Sequence, residues 1–134
     1  MDYKRHIGRH VIRHLLGAPF VYLMIVPLVI LDVCAEVYHR ICFPLYGIAC
    51  LRRSSYIQID RQRLSYLGAW DKINCMYCGY ANGLLHYVSV IAAKTEQYWC
   101  GIKHKSNQGF IPPAHHEHFL EYGDEKQYRD FIDK

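Results

Sequence analysis

Two pairs of potential metal ligands stand at spacings typical of a metal-binding site. Cys75 and Cys78 form a Cys-x-x-Cys pair followed by Gly79, and His104 comes four residues after Cys100. Two sulfurs three positions apart can reach one ion when the backbone forms a tight turn, which a following glycine permits. Residues four apart face the same way on a helical turn, so the second pair could complete a tetrahedron. The sequence therefore predicts a metal site at Cys75, Cys78, Cys100 and His104.

The ligand types indicate which metal this site would hold. Three thiolates and one imidazole are a common structural zinc set, and iron or a Cys3His iron–sulfur cluster is the alternative. The segment CMYCGY is similar to half of a rubredoxin iron knuckle, but the second half is replaced by CGIKH, which favours zinc. Protein side chains fill all four positions, so we expect no open catalytic site and no enzyme. A competing interpretation makes Cys75 and Cys78 a redox pair and the other two packing residues.

Further histidines offer weaker alternatives. The segment PPAHHEHF contains His115, His116, Glu117 and His118, which are either a solvated surface loop or a second metal site. His6, His10 and His14 lie beside Arg5, Arg9 and Arg13 in a basic amphipathic pattern over residues 3–14. That pattern is typical of an interfacial helix. The alternative hypothesis is that its histidines bind haem or a metal ion.

The first 53 residues are expected to attach the chain to a membrane. Residues 15–31 contain no charge, and 17 residues are the lower limit for a helical span. Charged and polar residues between Asp32 and Arg40 then interrupt the apolar run. A second apolar stretch follows and ends at Leu51. Because basic residues flank the block on both sides, a kinked hairpin with its turn near Asp32 to Arg40 ranks ahead of a single span. A buried core helix of a soluble protein is the remaining alternative, and Cys34, Cys42 and Cys50 are expected to be apolar packing residues.

Residues 54–105 are predicted to form a small metal-bound domain, and residues 106–134 an acidic, loop-rich tail with a weak helix near its end. A domain this small often needs a bound metal ion to stabilise its fold. Its predicted elements are a short strand at 54–60, a short helix capped by Asp60, a tight turn at 74–79 and a helix at 82–98. The buried stripe of that last helix would be Leu84, Val88 and Ile91, or Leu85, Val88 and Ala92.

The charge of the chain is concentrated near the apolar block. The net charge is +4, and residues 1–63 hold nine Lys/Arg against four Asp/Glu, whereas residues 64–134 hold seven against eight. Basic residues beside an apolar block are expected to contact anionic lipid headgroups. The second half has no basic stripe, so no nucleic-acid partner is expected.

Two stretches, DRQRLSYLGAWDKINCMYCGYANGLLHYV and AAKTEQYWCGIKH, resemble an uncharacterised bacterial family of small membrane-associated proteins with the core NCxYCGYANG…EQYWCxIKH. The resemblance covers about residues 60–105. It implies a bacterial origin and a shared Cys/His core but no reaction. A proline often follows the third cysteine in that family, where this chain has Gly101.

Together these patterns predict a mainly α protein of the bacterial inner membrane: an N-terminal amphipathic helix, a membrane hairpin or anchor, and a helical Cys3His domain on the cytoplasmic side. The function expected is that of a zinc-binding structural or interaction module, an accessory subunit that docks on a larger membrane complex. The alternative is an electron-transfer or thiol-redox protein that uses the same four residues. Haem binding by the N-terminal histidines is a third hypothesis.

Overall fold

The computed structural model describes residues 11–132, so His6, His10, Arg5 and Arg9 lie outside the described part of the chain. The helices are α1 (Val11–Leu23), α2 (Ile25–Leu45), α3 (Ala69–Trp99) and α4 (Glu125–Ile132), with short 3-10 turns at Arg53–Ser55, Arg61–Arg63 and Ala114–His118. Within residues 11–132 the only strand-like pairing is an isolated parallel bridge between Ile102 and Leu120. The mainly α prediction is confirmed, and the strand predicted at 54–60 is wrong.

α1 and α2 are nearly one helix, interrupted at Met24. Pro27 has no N–H to donate to the carbonyl of Leu23, which removes one helical hydrogen bond at this point. The chain restarts with a turn in which the Met24 N–H donates to Val21 O at 3.3 Å. Pro27 then falls in the first turn of α2, where a missing N–H is tolerated.

α2 continues without a break through Asp32 and Arg40, so the hairpin turn predicted there is wrong. The segment from Leu15 to Leu45 is long and apolar enough to cross a membrane, with a mean hydropathy of 2.2 and only 6% of its apolar window buried. The low burial argues against a soluble core helix. Exposed apolar side chains follow the outer face of α2: Val26, Val29, Ile30, Val33, Val37, Ile41 and Leu45.

The inner face of α2 is different. It carries the buried side chains Leu28, Ala35, His39 and Phe43 at helical spacing, and Asp32 lies on the same side, where it meets the chain that returns from the helix end. Asp32 is therefore kept off the outer stripe, whereas Arg40, with its side chain 75% exposed, lies among the stripe residues.

The chain divides into two compact units between His86 and Tyr87. In the first unit, residues 46–68 form a return segment that runs antiparallel to α2, since the Leu51 N–H donates to His39 Nε2 and Arg53 pairs with Asp32. The part of α3 that belongs to this unit, up to His86, then runs parallel to the first two helices. The Tyr22 hydroxyl donates to Asn74 at 2.6 Å, and the Tyr80 hydroxyl donates to Asp32 at 2.8 Å.

Two glycines one helical turn apart let the return segment approach α3 closely. A Cβ at Gly83 would lie 2.7 Å from Tyr56 O, and one at Gly79 would lie 2.9 Å from Gln58 O. Gly79 lies inside α3, so the tight turn predicted at 74–79 is wrong. This glycine serves packing, and it does not reverse the chain.

In the second unit, α3 ends at Trp99 and Gly101 turns the chain with a φ of +59°. The Lys103 N–H then donates to Leu120 O, and the Leu120 N–H donates to Gly101 O, both at 2.8 Å. The first of the two predicted stripes of the helix is confirmed in that Leu84 and Ile91 are buried and Val88 is half-buried. The helix predicted near the end of the chain is α4.

Candidate metal centre

Three potential metal ligands converge in the second unit: Glu96, His115 and His116. His115 Nε2 lies 2.8 Å from one carboxylate oxygen of Glu96, and His116 Nε2 lies 3.1 Å from the other. One ligand atom from each residue falls within 4.8 Å of the other two. His116 is buried, and the other two side chains are half-buried.

The end of α3 positions Glu96. Its backbone carbonyl accepts the N–H groups of Cys100 at 2.8 Å and Gly101 at 3.2 Å. The left-handed backbone of Gly101, a conformation that costs glycine little, makes this termination possible. The carboxylate therefore projects from the last turns of a helix whose end is well defined.

The 3-10 turn Ala114–His118 positions both imidazoles. Pro113 precedes it and accepts the His116 N–H at 3.0 Å. The buried ring of Phe119 stacks on the His116 ring, with centroids 4.8 Å apart, and meets His115 edge-on at 5.6 Å. Two consecutive histidines can thus reach one carboxylate, because each takes a different oxygen.

The charge of the centre is negative when its histidines are neutral. Hydrogen bonding to His115, the largest cause, and to His116 holds the pKa of the Glu96 carboxyl below its ordinary value, against an opposing effect of burial. Glu96 is therefore a carboxylate at neutral pH. A negative oxygen between two imidazoles is a suitable environment for a divalent cation.

Geometry and chemistry both allow a metal ion here. Ligands bound to one tetrahedral zinc are separated by about 3.4 Å, given metal–ligand distances of about 2.0–2.2 Å. One ligand atom from each of the three residues lies within 4.8 Å of the other two, so a modest side-chain adjustment would bring them to that separation. In addition, His116 Nδ1 is buried with no hydrogen-bond partner among the described residues. Buried polar atoms of this kind are uncommon and are often found at strained or functional positions.

The residues predicted from the sequence as ligands are placed differently. Cys75 and Cys78 lie within α3 in the first unit, and Cys100 directly follows α3 in the second; all three are free thiols. Among the described residues, the group of converging ligands contains none of the four, but His104 lies beside it, with Nε2 3.9 Å from Glu96 Oε1. The Cys3His site itself stays a prediction.

The sequence alternative at PPAHHEHF named two of the three converging residues, and Glu96 was missed. A usable signal was present, because Glu96 stands one helical turn before Cys100 and shares its side of the helix.

No protein-family model, curated protein or solved structure matches the chain. The resemblance of residues 60–105 to a bacterial membrane-associated family therefore stays a prediction. The class of the centre is defined by its residues alone: a two-histidine, one-carboxylate candidate metal site.

Proposed function

We propose that this chain is a membrane-attached metal-binding protein whose second unit holds one divalent transition-metal ion, zinc first, through Glu96, His115 and His116. The observation that carries the proposal is the approach of two imidazole nitrogens to the oxygens of one carboxylate. Imidazole and carboxylate ligands suit zinc and other first-row divalent ions.

The role proposed for the ion is structural. It would join the end of α3 to the turn Ala114–His118, two segments that are otherwise connected through a long stretch with little regular structure. A unit as small as residues 87–134 gains a large share of its stability from such a link. The fixed surface would then dock on a protein partner in a membrane complex, as an accessory subunit.

Metal uptake by the full chain in detergent micelles tests the site. We expect one zinc ion per chain by equilibrium dialysis and elemental analysis, and at least about 100-fold weaker binding in Glu96→Gln and in His115→Ala. His118→Ala is the matched control, since His118 lies on the same turn but is exposed and outside the converging group. Equal binding by all four proteins would refute the site.

Membrane attachment is proposed to rest on α1 and the outer apolar stripe of α2. Native cysteines provide depth probes, because Cys34 lies in α2 between stripe residues and Cys50 lies in the return segment; both are exposed in the structure. In single-cysteine variants reconstituted into liposomes, a membrane-impermeant maleimide should label Cys50 on one side and leave Cys34 unlabelled until detergent is added. Rapid labelling of Cys34 in intact liposomes would contradict the proposal.

A redox or Cys3His role for Cys75, Cys78, Cys100 and His104 is the alternative proposal. The variant Cys75→Ser distinguishes this alternative from the Glu96 site. It should abolish metal binding at a thiolate site and leave metal binding at a Glu96 site unchanged. The cytoplasmic side for the second unit is also a proposal, supported by the basic residues that flank the apolar block in the sequence. Protease protection of the second unit in oriented vesicles tests it.

A further inference from the structure

Beside the three converging ligands lies a fourth imidazole. His104 Nε2 is 3.9 Å from Glu96 Oε1, and its ring centroid is 5.4 Å from that of His116. The neighbouring backbone is fixed, since the Lys103 N–H donates to Leu120 O at 2.8 Å. The side chain of His104 is 64% exposed, so its ring has room to move while its Cα stays in place.

We propose that His104 is the fourth ligand of the ion, which makes the centre a closed His3Glu site. This inference rests on the proposed function, because it completes the same centre. Structural zinc sites fill all four positions with protein side chains, whereas catalytic sites keep one position for water. A closed site predicts that the ion holds the fold together and that it activates no water.

The required movement is small. To share a tetrahedral ion, His104 Nε2 and Glu96 Oε1 would approach from 3.9 Å to about 3.4 Å, roughly half an ångström. The exposed His104 side chain can make this approach by rotation about its own bonds.

The competing occupant of the fourth position is solvent from the adjoining cleft. His104 and His116 both line an open cleft of about 720 Å³, together with Lys103, Phe110 and Tyr122. If the His104 ring stayed against Phe110, with centroids 5.6 Å apart, the fourth position would face this cleft and bind water or a small anion. The proximity of Nε2 to the shared carboxylate favours His104.

Cobalt substitution of the full chain in detergent micelles distinguishes the two arrangements. Four-coordinate Co²⁺ absorbs visible light strongly, six-coordinate Co²⁺ weakly, and an open position binds azide with a change in spectrum. We expect the unaltered protein to give a strong spectrum that azide and pH between about 6 and 9 leave unchanged, as for a site without bound water. His104→Ala should bind Co²⁺ at least about 10-fold more weakly and become sensitive to azide.

His104→Gln and His118→Ala complete the set. The first repeats the loss of the imidazole with a side chain of similar polarity, and the second should match the unaltered protein. An azide-sensitive spectrum in the unaltered protein, unchanged by His104→Ala, would overturn the fourth ligand and leave the three-ligand site intact. Failure of the unaltered protein to bind Co²⁺ would overturn both proposals, and a strong near-ultraviolet thiolate band abolished by Cys100→Ser would replace them with the cysteine site.

Discussion

Each unit of the molecule has a helical carboxylate held by more than one side chain, and the two arrangements use different partners. In the first unit, Asp32 pairs with both terminal nitrogens of Arg53 and accepts the Tyr80 hydroxyl. In the second unit, Glu96 lies between the imidazoles of His115 and His116. Both carboxylates are shielded, with side-chain exposures of 15% and 31%.

The partners decide what each arrangement can do. A guanidinium keeps its charge at any accessible pH and has no lone pair to offer, so Arg53 can neutralise Asp32 but cannot bind a metal with it. An imidazole can be neutral and can donate a nitrogen lone pair to an ion. The Asp32 network is therefore a permanent clamp between α2 and the return segment, whereas the side chains of the Glu96 group have the chemistry to bind a cation.

Loss of Arg53 should have the largest effect on folding. Arg53→Met leaves the charge of Asp32 without its cation on the inner face of α2, and we expect a loss of about 3 kcal/mol in the free energy of unfolding. Denaturant unfolding of the full chain in detergent, followed by helical circular dichroism, measures it. Arg40→Met is the control, because Arg40 is exposed in its pair with Glu36 and should cost about 0.5 kcal/mol. Equal losses of stability in the two variants would show that the pair of Arg53 and Asp32 does not act as a stabilising clamp.

Zinc should distinguish the two carboxylates directly. At free zinc about 100 times the dissociation constant, a site present only in the folded state adds about 2.7 kcal/mol to stability. We expect this increment in the unaltered protein and in Arg53→Met, and its absence in Glu96→Gln. Thermal unfolding with zinc and with chelator provides the measurement, and an equal increment in Glu96→Gln would place the ion elsewhere.

The approach of the return segment to α3 is the next contribution in size. Gly83→Ala should cost about 2 kcal/mol, because its Cβ would lie 2.7 Å from Tyr56 O and 2.8 Å from Ile57 Cα, and backbone atoms cannot move aside cheaply. Gly17→Ala is the matched helical control, with nothing within 4 Å of the added Cβ, and should be neutral or stabilising. Denaturant unfolding checks both, and a neutral Gly83→Ala would show that the segment is not tightly packed there.

The helices were largely predictable from the sequence, and the connections between them were not. A run without charges identified the long apolar segment, and helical spacing identified the stripe containing Leu84 and Ile91, since both are local properties of the sequence. The turn expected at Asp32 to Arg40 was wrong because these charged residues were taken to interrupt the helix, without regard to the helix face on which each of them lies. The structure turns Asp32 inward to Arg53, a partner 21 residues away, which no local pattern reveals.

The candidate site was predictable only in part, for a related reason. Cys-x-x-Cys-Gly is also compatible with a helix, and α3 continues through it. Gly79 there permits the close approach of Gln58. His115 and His116 were recognised as possible ligands, but their common partner Glu96 is about 20 residues earlier in the chain. The turn at Gly101 and the pairing of Ile102 with Leu120 bring the histidines next to Glu96. This proximity is a tertiary property.

Acid should reveal the smallest difference, in a metal-free sample with chelator present. The pKa of Glu96 in the folded state lies below its ordinary value of 4.5, so its contribution is complete above that value and is lost as the pH falls through the folded-state pKa. The stability advantage of the unaltered protein over Glu96→Gln should therefore shrink by about 1 kcal/mol between about pH 6 and pH 3. Glu117→Gln, which alters an exposed carboxyl on the histidine turn, is the control. Urea unfolding at both pH values measures the difference, and an advantage that did not change with pH would mean that the two histidines do not stabilise the Glu96 carboxylate.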